Sequence, residues 1–176
     1  SSIGDIVLTT PVIRCIKQQL PGAKVHYLTK KQFSEVLAYN PYIDKVHYLE
    51  GDIQPLIMDL LKEGFDAVID LHNNLRTRYV KALLRQAFNS RVECRSVNKL
   101  NIRKWLLTTF KINRMPDKSV VDRYLDTARW LGIKNDGQGL DYFLPAEQEI
   151  AKDDLPMSHS LGFAACVIGG QHETKK

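Results

Sequence analysis

The stretch FDAVIDLHNNLRTRYVKALLRQA, Phe65–Ala87, places an apolar run directly against a basic helical pattern. FDAVIDLH reads as a strand, and NLRTRYVKALLRQA reads as a helix beginning where the strand stops. The same alternation continues on both sides. Upstream lie a strand in AKVHYLT (23–29), a helix in KQFSEVLAYN (31–40), a strand in KVHYLE (45–50) and a helix in IQPLIMDLLKEG (53–64), the last with Ile57, Leu60 and Leu61 on one face. Downstream come a strand in RVECRSV (91–97), a helical or irregular basic segment in IRKWLLTTFK (102–111) and a helix in SVVDRYLDTARWLGI (119–133). That last helix carries Val121, Tyr124, Leu125, Ala128 and Leu131 along one stripe and ends at Gly132; Trp130 reads as core. Strands alternating with helices predict βαβ units, hence a Rossmann-like, doubly wound α/β fold with a mostly parallel sheet covered on both faces.

Both ends read as interrupted. Residues 6–20 have the pattern of a first helix, yet no strand precedes them, and in a doubly wound fold that strand is central. AEQEIAKDDLPMSHS (146–160) is polar and linker-like, and LGFAACVIGG (161–170) reads as a new strand leading into QHETKK. The expected organisation is a domain over 1–145 lacking its first strand, a linker over 146–160, and the opening strand and loop of a second domain over 161–176.

The 176 residues are 44% hydrophobic and 26% charged, enough apolar content for a sizeable core. No run approaches the roughly 20 apolar residues that span a bilayer, and no signal peptide is visible. Cys15, Cys94 and Cys166 are odd in number and far apart, which suits buried thiols better than a disulfide framework or a zinc site. The net charge of +5 is segregated: His72–Lys118 holds twelve Lys or Arg against Glu93 and Asp117, a balance of +10, so the remaining residues carry −5. Either an anionic partner or a plain basic face accounts for this.

Candidate chemistry begins at SSIGDIVLTTP (1–11), where Asp5 follows two serines and a glycine. Its carboxylate can cap a helix, repel a phosphate or remove a proton. Gly4 allows a close backbone approach or a positive φ, and Thr10–Pro11 reads as an N-cap with proline at the first helical position. At the carboxyl end of the 65–72 strand, where open α/β sheets bind ligands, stand Asn73, Asn74, Arg76, Arg78 and Lys81. Arg78, Lys81 and Arg85 share a helix face, as anion ligands or as solvated residues. His72 reads as a strand-end residue, with no second His or Cys spaced to make a metal site with it. NKLNIRKWLLTTFKINRMPDK (98–118) mixes basic side chains with Trp105, Leu106, Leu107 and Phe110; it suits an anionic membrane surface or a core-facing helix with a basic outer side. No GxGxxG or GxxxxGK[ST] phosphate cradle is present.

Taken in order, SSIGDIVLTTPVIRCIKQQLPGAKVHYLT, NPYIDKVHYLE, FDAVIDLHNNLRTRYV, VVDRYLDTARWLGI and VIGGQHETKK resemble glycosyltransferase family 9, the ADP-heptose:lipopolysaccharide heptosyltransferases. The resemblance implies the N-terminal, acceptor-binding half of a two-domain GT-B enzyme that transfers a heptose with inversion and needs no metal or other cofactor. It implies Asp5 as general base, Gly4, Gly169, Gly170, Thr174 and Lys175 on the ADP-sugar donor, and Ser2, Asn73, Asn74, Arg76, Arg78 and Lys81 on the acceptor. It also implies an anionic lipid A core as acceptor and a cytoplasmic location, peripheral on the inner membrane, with no nucleic-acid partner. The isolated chain is expected to be inactive. A basic nucleic-acid-binding domain and a Rossmann oxidoreductase are the alternatives. The first lacks an RNP-like, helix-turn-helix or zinc pattern, and the second lacks its glycine fingerprint.

Overall fold

A computed structural model describes residues 2–89, 91–148 and 154–159, together with Gly162 and Ala164. The chain divides into two units, Ser1–Phe143 and Leu144–Lys176.

In the first unit, helices α1 (Ile3–Val7) and α2 (Thr10–Gln19) precede strand β1 (His26–Lys30). A 3₁₀ turn and the short α3 (Ser34–Leu37) lead to β2 (Lys45–Leu49), then α4 (Gln54–Glu63), β3 (Ala67–Asp70), α5 (Leu75–Ala87) and β4 (Glu93–Ser96). Helices α6 (Asn101–Phe110) and α7 (Val120–Ala128) follow, and the 3₁₀ turn Arg129–Leu131 ends at Gly132, whose φ of 82° favours glycine. β1 pairs with β2 in parallel, His26 opposite Lys45, and β3 pairs with β4 in parallel, Ala67 opposite Glu93. The expected parallel sheet is thus present as two parallel pairs.

Helices cover both faces. Side chains alternate along β3, so Val68 packs with Leu56 and Leu60 of α4 and Val80 and Leu84 of α5, whereas Ile69 packs with Val12 and Cys15 of α2 and Leu125 and Ala128 of α7. Leu49 of β2 joins the α4–α5 cluster, and Tyr27 of β1 joins Ile6, Phe33 and Leu37. Each cluster is therefore shared between helices and strands, which makes the α/β layering the core of the fold.

Several local expectations change. The helix expected over 6–20 is broken at Leu8–Thr9, because Pro11 has no N–H and its ring crowds the carbonyl of Val7. Thr9, not Thr10, is the cap residue; the Thr10 hydroxyl donates to the Val7 carbonyl at 2.8 Å and accepts from the Asp141 N–H at 2.9 Å. The helix expected over 31–40 shrinks to a 3₁₀ turn plus α3, since Asn40 precedes Pro41 and is biased away from helical ψ. Trp130 is exposed rather than core, with the Arg95 guanidinium 5.9 Å from its ring centre. α6 fully buries none of its residues; Leu106 and Leu107 are half-buried, while Ile102, Trp105 and Phe110 are exposed. Cys15 is buried and Cys94 half-buried; Cys166 lies outside the described residues.

Arg14 is 1% exposed and ties α2 to the segment after α7. Its guanidinium makes a fork to Asp136 (Nε–Oδ2 2.7 Å, Nη2–Oδ1 2.8 Å), donates to the Gly139 carbonyl at 2.9 Å and pairs with Asp141. The arginine holds the Asp136 carboxyl well below the usual carboxylate range, and the carboxylates raise the Arg14 pKa in turn.

Of the second unit, the 3₁₀ turns Ala146–Gln148 and Met157–His159 are described. The strand expected over 161–170 lies outside the described residues apart from Gly162 and Ala164.

Candidate active site at the start of α1 and the end of β3

Asp5 is the third residue of α1, and Ser2 is its N-cap. Ser2 donates its backbone N–H (3.0 Å) and its hydroxyl (3.1 Å) to Asp5 Oδ2, and the Asp5 N–H returns a bond to Ser2 Oγ at 3.3 Å. This reciprocal capping box satisfies donors that the first helical turn would otherwise leave open. The backbone bond from Ser2 outweighs the cost of burial and holds the Asp5 carboxyl below its ordinary value, so it is ionised at neutral pH, and it is exposed. Gly4 does not have a positive φ, and a Cβ built there would meet only Ser2 Oγ, at 3.9 Å. Of the two reasons for glycine, close approach is the one left open.

Three further side chains feel the Asp5 charge. His72, in the β3–α5 turn, is half-buried; burial keeps its imidazole below the ordinary value while Asp5 pulls the other way. The Tyr27 phenol, from β1, is pushed up by burial and shares a 3.0 Å hydrogen bond with the Thr9 hydroxyl. Tyr124 of α7 is pushed up by burial and by Asp5. An ionised carboxylate, an imidazole held toward its neutral form and two phenols held toward theirs thus influence one another electrostatically from four parts of the fold. Tyr27 and Tyr124 escape sequence reasoning because both sit in apolar patterns that mark them as packing residues.

The β3–α5 turn is built on Asp70, which is 6% exposed. Its Oδ1 accepts from the N–H groups of His72 (3.0 Å) and Asn73 (2.6 Å), and its Oδ2 lies 2.6 Å from Lys81 Nζ. Burial alone would raise the Asp70 pKa; Lys81 and the turn's donors more than offset it and hold the carboxyl low. Asn73 adopts φ 45° and donates from Nδ2 to the Val97 carbonyl at 2.9 Å. Asn74 caps α5 through a reciprocal box with Thr77. Lys81 also reaches Ser96 Oγ. Asn73, Asn74 and Lys81 are therefore engaged in shaping the turn, whereas Arg76 and Arg78 point into solvent from the first turn of α5. Arg78 makes one long contact, Nε to Asn73 Oδ1 at 3.4 Å. Asp70 itself is a residue that sequence reasoning passes over; its signal is a carboxylate at a strand end with a lysine eleven positions on. Gly169, Gly170, Thr174 and Lys175 lie outside the described residues.

No family model matches the chain. Over 100 residues, 51% of the chain and 28% of the relative, it is 30% identical to lipopolysaccharide heptosyltransferase 3 of Escherichia coli K12. Over 90 residues it is 29% identical to lipopolysaccharide heptosyltransferase 1 of Campylobacter coli, covering 48% of the chain and 26% of that protein. Among solved structures, the glycosyltransferase family 9 protein of Veillonella parvula superposes with a TM-score of 0.63 at 20% identity, over 84% of this chain and 44% of that one. The resemblance is to glycosyltransferase family 9. The Escherichia coli heptosyltransferase solved with ADP gives a TM-score of 0.58 at 19% identity, over 80% of this chain and 48% of that one. The Rossmann-like α/β fold expected from the sequence is the fold of these neighbours. The matches span less than half the length of the family proteins they involve.

Proposed function

We propose that this chain supplies the acceptor-binding half of a GT-B heptosyltransferase, which moves a heptose from an ADP-sugar to the anionic inner core of lipopolysaccharide with inversion. The observation that carries the reading is the Asp5 carboxylate. Both Ser2 donors converge on Oδ2, which fixes the group by one oxygen; in this reading Oδ1 is the oxygen that meets the acceptor hydroxyl. In the reaction the acceptor hydroxyl attacks the anomeric carbon and its proton passes to Asp5. The new C–O bond forms as the bond to the diphosphate breaks, and that electron pair leaves with ADP. An ionised base held in place before the substrate arrives is what such a step requires.

The resemblance assigns the departing diphosphate to Gly169, Gly170, Thr174 and Lys175, with Gly4 close to the donor; Arg76 and Arg78 would engage acceptor phosphates through their planar forks. Ser2, Asn73, Asn74 and Lys81 act on the acceptor side by shaping the surfaces around Asp5 and the β3–α5 turn. The exposed face of α6, with Ile102, Trp105 and Phe110 beside Arg103, Lys104 and Lys111, suits the cytoplasmic surface of an anionic inner membrane, where the lipid acceptor resides. No helix among the described residues is long and apolar enough to cross a membrane. The chemistry asks for no metal or other cofactor at Asp5.

The test is ADP release by an enzyme carrying this chain, with ADP-heptose as donor and a Kdo-bearing lipid A acceptor. Release that requires the acceptor and disappears in Asp5→Asn supports the reading. An enzyme that neither binds nor consumes the ADP-sugar overturns it.

A further inference from the structure

Away from Asp5, the β1–β2 pair brings two histidines and a glutamate together. His26 opens β1 opposite Lys45, and His47 follows Lys45 by two residues, so both imidazoles rise from the same face of the pair. Glu63, the last residue of α4, meets them there. His26 Nδ1 lies 3.1 Å from His47 Nε2 and 3.8 Å from Glu63 Oε2, and the three donor atoms all fall within 4.8 Å of one another. We propose that His26, His47 and Glu63 form a binding site for a divalent transition metal of the zinc class. This site is additional to the glycosyltransferase reading and does not rest on it.

The geometry fits such an ion. Zinc binds imidazole nitrogen and carboxylate oxygen at about 2.0–2.2 Å in a tetrahedron, which puts neighbouring donors roughly 3.3–3.5 Å apart. The two edges at His26, 3.1 and 3.8 Å, bracket that separation. Two imidazoles and a carboxylate are a borderline-soft donor set, suited to zinc, cobalt or nickel rather than to magnesium or calcium. Three protein ligands leave a fourth position for water. The donors are also held in place. His47 is 6% exposed, and Phe65 stands edge-on to both imidazoles at 5.4 and 6.3 Å between ring centres. Lys45 pairs with Glu63 through Oε1, leaving Oε2 facing His26. Two of the three ligands, His47 and Glu63, border a surface depression shared with Lys45 and Asp59. Bound there, the metal would join β1, β2 and α4.

The experiment uses the full chain, stripped with chelator and dialysed, then titrated with Co²⁺ and with Zn²⁺. One equivalent of Zn²⁺ by calorimetry, the intense visible d–d absorption of tetrahedral Co²⁺, and a Tm that rises with metal are the expected results. Glu63→Gln and His26→Ala, both at partly exposed positions, should each weaken binding at least tenfold with an unchanged circular dichroism spectrum. Glu63→Gln keeps the side-chain volume and serves if His26→Ala misfolds. A Cys94→Ser, Cys166→Ser chain should bind as before. Binding that is absent, or that survives Glu63→Gln and His26→Ala but is lost with the cysteines, overturns the site and leaves the imidazoles as a simple hydrogen-bonded pair.

Discussion

Ser2 sends two donors to a single oxygen of Asp5, its N–H at 3.0 Å and its hydroxyl at 3.1 Å. Capping a helix and removing a proton, alternatives on the page of sequence, are therefore compatible in the structure. The cap uses Oδ2 and sets the direction of the carboxylate; the chemistry would use Oδ1. The hold on the base is then a by-product of starting the helix correctly.

Asp5→Asn separates the two roles. Asparagine retains an oxygen for the Ser2 donors but cannot take a proton, so kcat should fall about 10²–10⁴-fold, roughly 3–5 kcal/mol of barrier. Losing the helix-end charge at an exposed site should cost only about 0.3–1 kcal/mol of stability. Steady-state turnover at saturating acceptor and a melting curve on the same variant check both. A kcat within threefold of wild type, with a clearly lower Tm, would reduce Asp5 to a cap.

Arg14 and Asp136 form a buried pair, and breaking it should be costly. Arg14→Met strands two carboxylates in a largely enclosed site and should lower stability by about 3–5 kcal/mol in urea melts at pH 7. The acid dependence has a defined sign. The folded Asp136 pKa is depressed, so its contribution is present above the unfolded value of about 3.9 and is lost as pH falls from there toward the folded value. Wild type should lose stability over that interval faster than Arg14→Met does. Parallel pH profiles would show that the pair contributes nothing.

Much of this architecture is legible in the sequence, for a physical reason. Strands such as 67–70 and helices such as 54–63 and 75–87 carry their burial pattern in local spacing, and local spacing is what a sequence displays. Residues such as Asp70 and Lys81, or His26 and His47, are different. The first partnership depends on how α5 folds back over the end of β3, the second on the pairing and register of β1 and β2, and neither is encoded within a single element. Searching around His72 for a metal partner finds none, whereas the cluster lies at His26 and His47, brought together only by the parallel pairing of β1 and β2. The break before α2 was within reach, since Pro11 at that position cannot continue a helix begun at Ile3.

The basic side chains of α5 should separate by burial. Arg76→Glu with Arg78→Glu changes two exposed residues, so it should raise the acceptor KM severalfold while leaving donor affinity and Tm nearly unchanged. Lys81→Glu should instead unfold the turn, because it removes the partner of Asp70 and places a second carboxylate beside it. Comparing acceptor KM, donor Kd and Tm for the two proteins checks this. Equal loss of donor and acceptor binding in the arginine variant would move those residues out of the acceptor site.

The face of α6 yields the remaining prediction. Ile102 is 74% exposed, and Trp105 and Phe110, 54% and 56% exposed, stack edge-to-face 5.1 Å apart on the surface. Apolar side chains this open, interleaved with Arg103, Lys104 and Lys111, match an interface that is apolar below and anionic above. Each basic residue near such a surface contributes about 1 kcal/mol, so Arg103→Glu, Lys104→Glu and Lys111→Glu together should weaken binding to anionic vesicles by at least about 100-fold. Trp105→Ser should weaken it as well, but with less dependence on salt, since that contribution comes from apolar burial. Co-sedimentation with phosphatidylglycerol and phosphatidylcholine vesicles at two ionic strengths distinguishes the contributions. Binding that is equal on neutral and anionic vesicles, or unmoved by the triple reversal, would show that α6 does not face the membrane.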